Sequence, residues 1–155
     1  MIGVKKVASY ICRRYLEEYN ARIDEMKLHK LLYFMQRESI VQIGEPMFDD
    51  TFKAWKYGPV MLVIRQYYKN NTLNLALNKE ELEKYKSVFD KVFSMFASKK
   101  SWSLSSLSHG EYSWKKAREG FCLYDSCDVD IKTEDIAVDA DRIRTRRFLL
   151  SRLNN

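Results

Sequence analysis

Apolar residues in the first part of the chain recur at steps of three and four, which is the period of an amphipathic α-helix. One stripe covers residues 4–16, and a second predicts a helix over about 25–41. Asp24 is placed to cap the N-terminus of this second helix. Because Tyr33 and Phe34 widen its apolar face, we expect it to lie at the centre of the fold.

The pattern changes near residues 46–57, where turn-forming residues precede an alternation of polar and bulky side chains. This alternation predicts a short strand or hairpin. Gly58 ends the segment, and Pro59 is expected as the first residue of the following helix. Trp55 is expected to be buried against the helices and Tyr57 to be partly exposed.

The second half of the chain again has helical periodicity. Asn78 is expected to cap a helix of about twenty residues, and Thr133 to cap a last helix over about 133–153. The loop at 70–78 separates two of the predicted helices. We therefore predict a mainly α fold: a compact helical domain with a small β insertion near residues 46–57, in a single domain over 1–155.

Composition excludes a disordered chain and a membrane-spanning protein. A chain of 155 residues with 46% hydrophobic residues can form a core, so general disorder is excluded. No apolar run is long enough to span a membrane, so no membrane partner is expected. The odd number of cysteines, three, indicates free thiols and a cytoplasmic protein.

Charge changes sign near the C-terminus. Acidic residues dominate 125–141, and five arginines follow between Arg142 and Arg152. A solvated helix with acids near its N-terminus and bases near its C-terminus explains this pattern and is the favoured interpretation. A docking surface is the alternative.

Catalytic and metal signatures are weak. Cys122 and Cys127 are too widely spaced for a zinc knuckle, and the five glycines form no phosphate-binding loop, so we expect neither a metal nor a cofactor. His109 and Glu111 could form an acid–base couple. Structural hydrogen bonds at a helix start are the favoured role for both residues.

Three segments, taken in order, resemble one family. KLHKLLYFMQ at 27–36, GEPMFDDTFKAWKYGPV at 44–60 and LSSLSHGEYSWKKAR at 104–118 are similar to the Panacea antitoxin domain, also called SocA-like. The chain departs from the family pattern at Ser108, where threonine is frequent, and at Ser113, where proline is frequent. The motif-bearing core covers about 25–120.

The resemblance implies a function. Members are mainly helical antitoxins that neutralise a toxin encoded beside them, usually by direct protein–protein contact, as in type II toxin–antitoxin systems. One branch is thought to deliver its toxin to a protease, so a protease is a second expected partner. The family occurs in bacteria and prophages and includes solitary, phage-associated members.

The matching positions divide into two groups. Seven residues are expected to be structural: Lys30, Tyr33, Phe52, Trp55, Gly58, Pro59 and Trp114. Four are candidates for a toxin interface or shared cleft: Tyr57, His109, Glu111 and Arg118. Toxin specificity is expected outside the shared motifs, in 70–78 and 121–155.

Two alternatives stay open. One is a solitary phage-associated protein with an enzymatic cleft around His109 and Glu111; the other is a nucleic-acid-binding regulator that uses the basic C-terminal stretch. Neither has a motif of comparable length, so we expect a protein that is not an enzyme.

Overall fold

The computed structural model describes residues 1–154. This part of the chain forms seven α-helices, one π-helical turn at Phe93–Ala97 and a three-stranded sheet. The elements are, in order, α1 (Val4–Tyr19), α2 (Glu25–Ile43), β1 (Phe52–Trp55), β2 (Gly58–Val60), α3 (Leu62–Lys69), α4 (Lys79–Val92), α5 (Ser101–His109), α6 (Tyr112–Ala117), β3 (Asp130–Ile131) and α7 (Thr133–Leu153). The mainly α prediction is confirmed.

Helix α2 is the centre of the fold, as its wide apolar face predicts. Fourteen of its nineteen residues are buried, and it packs against α1, α4, α5 and α7. The Asp24 side chain accepts a hydrogen bond from the Lys27 backbone N–H, which confirms the predicted N-cap. Gly44 ends the helix in the left-handed conformation.

The sheet has the order β2-β1-β3, and both pairs are antiparallel. The predicted insertion near 46–57 is therefore a hairpin shifted toward the C-terminus, over 52–60. The prediction that Pro59 begins a helix is wrong: Pro59 lies in β2, and α3 begins at Leu62. Because β2 is an edge strand, it tolerates a residue without a backbone N–H.

Of the two N-cap residues predicted in the second half of the chain, one is confirmed and the other is wrong. At α4, Asn78 and Glu81 form a complete capping box, which confirms the predicted N-cap. At α7, the prediction for Thr133 is wrong, because Lys132 occupies the N-cap position and makes no side-chain cap. Glu134 and Asp135 lie in the first turn instead, where they interact favourably with the helix dipole.

None of the helices within 1–154 is long and apolar enough to cross a membrane.

Candidate functional site

The hairpin lies over α2, and Gly58 is the first residue after its turn. Gly58 has a φ of +110°, and a Cβ atom there would collide with Ser108 Oγ and lie 2.5 Å from Lys30 Cε. Lys30 reaches under the turn, and its Nζ donates a hydrogen bond to the Pro59 carbonyl at 3.1 Å. The close approach of these groups leaves no room for a side chain at position 58.

Lys30 is the most unusual of the motif residues. Its side chain is 1% exposed, and within 1–154 no carboxylate lies within 4.0 Å of its Nζ. Burial disfavours the charged ammonium and lowers the pKa of Lys30 from 10.5 to about 7. A buried cation without a counter-ion is costly, so this position is not explained by packing alone.

Lys30 lines a cavity of about 600 Å³. The cavity is enclosed by the N-terminal half of α2, the hairpin, α3 and the loop at 126–128, and its lining includes Met26, His29, Trp55, Tyr57 and Val60. Its volume is that of a small-molecule site.

His29 is fixed at the base of this cavity by two contacts. The Met61 backbone N–H donates to His29 Nδ1 at 3.2 Å, so Nε2 carries the proton in the neutral ring. Nε2 then donates to Glu25 at 3.2 Å. Burial lowers the pKa of His29, which keeps the ring neutral.

Trp55 forms one wall and is half-buried, so the prediction that it is buried is wrong. Its Nε1 donates to Asp128 at 3.1 Å, and the Arg65 guanidinium lies 5.0 Å from the ring centroid. Because the cavity opens beside it, packing covers the ring only in part. Arg65 also pairs with Glu25 at 3.3 Å, which links the wall to the base of the cavity.

Tyr57, on the same hairpin, is 41% exposed, which confirms the prediction of partial exposure. It packs edge-to-face against Trp102, itself 62% exposed, with ring centroids 5.3 Å apart. The two rings form an aromatic pair beside the mouth of the cavity.

His109, Trp114 and Arg118 form a stack behind the hairpin. His109 lies parallel to the Trp114 ring at 4.3 Å between centroids, and the Arg118 guanidinium is 5.0 Å from the same ring. Trp114 Nε1 donates to the Trp55 carbonyl at 2.8 Å. Burial lowers the pKa of His109, so it is neutral near pH 7.

Arg118 is 5% exposed and donates to four backbone carbonyls, one in β1 at Ala54 and three in the segment 122–125. It thereby holds the segment after α6 against the sheet. The interface role of Arg118 stays a prediction, and both terminal nitrogens of its guanidinium already donate to backbone carbonyls.

A second group of buried polar side chains surrounds the Tyr33 hydroxyl. Tyr33 Oη lies 3.2 Å from Glu111, 2.7 Å from Ser113 Oγ and 3.3 Å from Asp139. Glu111 also pairs with Arg37. Asp139, on α7, accepts the backbone N–H groups of Tyr112 and Ser113 at 2.8 and 2.9 Å and so caps α6. The Tyr33 ring packs edge-on against Phe52, which is also buried.

The Glu111 carboxyl should make the stability of the protein depend on pH. Burial, reinforced by Asp139, raises the pKa of Glu111 from 4.5 to about 7, although Arg37 acts in the opposite direction. The folded state therefore holds this proton more tightly than the unfolded chain. We expect the contribution of this carboxyl to the free energy of unfolding to be fully present below pH 4.5 and to be lost, by about 2–3 kcal/mol, as pH rises through 7.

Glu111→Gln is neutral at every pH and should remove this decrease. Urea unfolding across that pH range checks it, with Glu119→Gln, an exposed carboxylate, as the control that keeps the wild-type slope. An unchanged slope in Glu111→Gln would contradict the assignment.

His109 and Glu111 have different partners, although they are close in sequence. Within 1–154 no hydrogen bond joins them: His109 stacks on Trp114, and Glu111 belongs to the Tyr33 group. No group of three or more His, Cys, Asp or Glu side chains in this range is placed to hold a metal. The geometry does not combine His109 and Glu111 into one cleft.

The sequence analysis predicted no role for Asp139, for Arg37 or for His29 in the cavity. The position of Asp139 could have indicated its burial, because this acid lies between Ile136 and Ala140 on the inner face of α7. Arg37 and His29 lie inside the apolar α2 pattern, where a charged or polar residue indicates a buried partner.

The C-terminal half of α7 leaves a large apolar surface exposed. Phe148, Leu149, Leu150 and Leu153 are between 53% and 80% exposed. We call these four residues the α7 apolar surface. Just before it, Arg147 binds both oxygens of Glu38 at 2.6 and 2.9 Å, and Arg144 donates to the last carbonyls of α2. The helix is thus anchored where the apolar surface begins.

The model of the family described as antitoxin SocA-like, Panacea domain, matches residues 28–115, more than half of the chain. The chain belongs to this family. The antitoxin SocA of Caulobacter vibrioides (strain NA1000 / CB15N) is 36% identical over 64 residues, covering 39% of this chain and 34% of that protein. The match thus spans about a third of that relative's length. No solved structure matches the chain significantly.

The matched SocA-like Panacea segment contains His29 and Lys30 of the cavity, the hairpin and α5, whereas Glu25 and Met26 precede it. Asp139, the α7 apolar surface and the loop at 126–128 lie outside it. In this Panacea domain, residues beyond the shared segment therefore complete both the cavity and the Tyr33 group.

Proposed function

We propose that this Panacea-domain protein is a type II-like antitoxin that neutralises a cognate toxin by binding it directly and stoichiometrically. Family membership supports the antitoxin role. The observation that carries direct binding is the α7 apolar surface, four large side chains that residues 1–154 leave more than half exposed. Contiguous exposed apolar surface of this kind is typical of protein–protein interfaces.

The charge around the surface indicates the chemistry of the partner. Arg142, Arg146 and Arg152 surround or precede the apolar side chains, and within 1–154 none of them pairs with a carboxylate. Arginine and exposed apolar groups together are typical of binding hot spots. We therefore expect the toxin to present an apolar patch bordered by aspartate or glutamate.

A matched pair of triple variants tests the surface. Leu149→Gln/Leu150→Gln/Leu153→Gln should weaken toxin binding about 100-fold, since three interface leucines carry roughly 1 kcal/mol each. Growth rescue on co-expression with the toxin encoded beside the gene, and pull-down of that toxin, measure the loss. The control Leu16→Gln/Leu62→Gln/Leu82→Gln changes three leucines that are also exposed, on α1, α3 and α4. Equal rescue by both variants would contradict a toxin contact at α7.

The same experiment separates two routes of neutralisation. A blocking complex leaves the toxin intact at constant abundance, whereas delivery to a protease lowers its abundance with time after synthesis is stopped. We propose blocking, because the α7 apolar surface is an interface that needs no third component. A toxin that disappears only when the antitoxin is present would support the protease route instead.

The nucleic-acid alternative predicts a different response to salt. Binding through the C-terminal arginines would weaken steeply as salt is raised, since each phosphate contact releases counterions. Toxin binding through the leucines should change little over the same range. The four exposed apolar side chains beside the arginines favour a protein partner.

A further inference from the structure

We propose that the exposed Trp102 ring and the lysines beside it bind single-stranded nucleic acid, with a base stacked on Trp102 and phosphates on Lys56, Lys99 and Lys100. We call these four residues, together with Tyr57, the Trp102 surface. It shares no residue with the α7 apolar surface and does not depend on the antitoxin proposal. Three features carry the inference.

The first feature is the open face of the Trp102 ring. Trp102 is 62% exposed, whereas Trp114 is 3% exposed and Trp55 is half-buried. Within 1–154 its one aromatic neighbour is Tyr57, at an interplanar angle of 87°, and no lysine or arginine lies over the indole. A single neighbour at a right angle cannot cover both faces of an indole, so a face is free for a base to stack on.

The second feature is that the ring is held by fixed elements before any ligand binds. Ser101 Oγ, at the first position of α5, lies 2.8 and 2.7 Å from the two carboxylate oxygens of Asp24. One turn further along, Ser105 Oγ donates to the Tyr57 carbonyl at 2.6 Å and joins α5 to the hairpin. The Trp102 backbone lies between these two contacts, so little conformational entropy is lost when a base packs on its side chain.

The third feature is a group of lysines without acidic partners. Lys99 and Lys100 directly precede α5 and are exposed, and Lys56 Nζ lies 5.1 Å from the Tyr57 ring centroid. In the described part of the chain, no carboxylate lies within 4.0 Å of these three ammonium groups. Their three positive charges exceed the single negative charge of Asp24, so this end of α5 attracts anions.

Single-stranded nucleic acid is the anionic polymer that uses both the ring and the lysines. Its unpaired bases stack on aromatic side chains irrespective of sequence, and its phosphates pair with lysines. A duplex keeps its bases stacked on one another and offers the phosphates alone, and polyglutamate offers charge without a flat ring. We therefore expect single strands to bind more tightly than either of these polymers.

The test uses the full chain and two labelled single strands of about ten nucleotides, oligo(dT) and oligo(U). Fluorescence anisotropy at about 50 mM salt should give a Kd of roughly 10–100 μM, and a duplex or polyglutamate of equal length should bind more weakly. The slope of log K against log salt concentration should be about −2, because each of three lysine–phosphate contacts contributes about −0.7. Tighter binding of oligo(U) identifies RNA as the ligand, and tighter binding of oligo(dT) identifies DNA.

Two variants of Trp102 test the stacking contact. Trp102→Ala should weaken single-strand binding about tenfold, whereas Trp102→Phe keeps an aromatic ring and should bind within about threefold of the wild type. Bound oligonucleotide should quench the tryptophan fluorescence of the wild type, and this change should be absent in Trp102→Phe although that variant binds. Leu107→Ala, at another exposed apolar residue of α5, is the control that binds as the wild type does. Because Trp102 is exposed, all of these variants should keep the wild-type urea midpoint.

A matched pair of double variants tests the phosphate contacts. Lys99→Gln/Lys100→Gln should bring the salt slope closer to zero by about 1.4, the contribution of two contacts. The control Lys79→Gln/Lys91→Gln removes two exposed lysines of α4 and changes the net charge by the same amount. It should keep the wild-type slope.

Four results would overturn the proposal: no single-strand binding at low salt, wild-type binding by Trp102→Ala, equal loss in both lysine variants, or equally tight binding of polyglutamate, which would indicate an acidic protein as partner. Loss of binding in Arg142→Gln/Arg146→Gln but not in Lys99→Gln/Lys100→Gln would also overturn it, because the nucleic acid would then lie on α7. Toxin neutralisation by Trp102→Ala is scored separately, so failure of this site and failure of the antitoxin proposal remain distinguishable.

Discussion

Gly58→Ala is expected to destabilise the protein by about 4 kcal/mol, the sum of backbone strain and a steric collision. The residue has a φ of +110°, which L side chains rarely adopt. The added Cβ would also meet Ser108 Oγ and, at 2.5 Å, Lys30 Cε. Both neighbours are buried and hydrogen-bonded, so neither can move away without losing contacts.

Gly44→Ala is the matched control, because Gly44 has a similar φ of +86° but no atom within 4 Å of its added Cβ. This variant should lose about 1 kcal/mol, from backbone strain alone. Urea unfolding of the two variants and the wild type measures the difference. Equal losses in Gly58→Ala and Gly44→Ala would show that the close packing under the turn does not contribute.

Asp139→Ala is expected to cost a similar amount, about 4 kcal/mol, because it leaves two backbone N–H groups at the start of α6 without a partner and removes one of the three partners of the Tyr33 hydroxyl. Its carboxylate caps α6 through the Tyr112 and Ser113 backbone N–H groups and lies 3.3 Å from the Tyr33 hydroxyl. The substitution removes all of these contacts at once. It also removes the hydrogen bonds by which Asp139 joins α7 to α6.

Asp141→Ala, two positions along α7, is the control. Asp141 is exposed and pairs only with Arg144 in the same helix, so its loss should change stability by less than about 0.5 kcal/mol. Asp139→Asn retains one acceptor oxygen and should lie between the two. If Asp139→Ala unfolded at the same urea concentration as Asp141→Ala, the capping role would be contradicted.

The Leu149, Leu150 and Leu153 substitutions act on the α7 apolar surface alone. Because α7 is anchored through Arg144 and Arg147 to α2, the leucine substitutions should leave the buried core intact. Toxin binding can therefore be lost without loss of the fold.

The sequence by itself determined the features that depend on neighbouring residues. Helices α1, α2 and α4 follow from apolar periodicity, and the caps at Asp24 and Asn78 follow from side chains that bond backbone N–H groups a few residues away. The three motif segments also predicted the family that the match over 28–115 then showed.

Only the tertiary structure decided the features that depend on distant residues. The strand β3 is two residues long and exists because β1 offers it an edge, so it carries no pattern of its own. Pro59 suits a helix start and an edge strand equally well, and its pairing with Ala54 selects the strand. In the sequence, Asp139 does not differ from the other acidic residues near it. Its role depends on the packing of α7 on α6, which buries it.

The environment of Lys30 is another feature that local sequence patterns do not predict. The motif predicted a structural residue at this position, and its hydrogen bond to Pro59 agrees with that expectation. Its missing counter-ion and its place in the cavity depend on segments far away in sequence, at 55–60 and 126–128. Local patterns specify which helices form, whereas burial and electrostatics at this site arise only when those segments meet, because desolvation depends on every group that surrounds the charge.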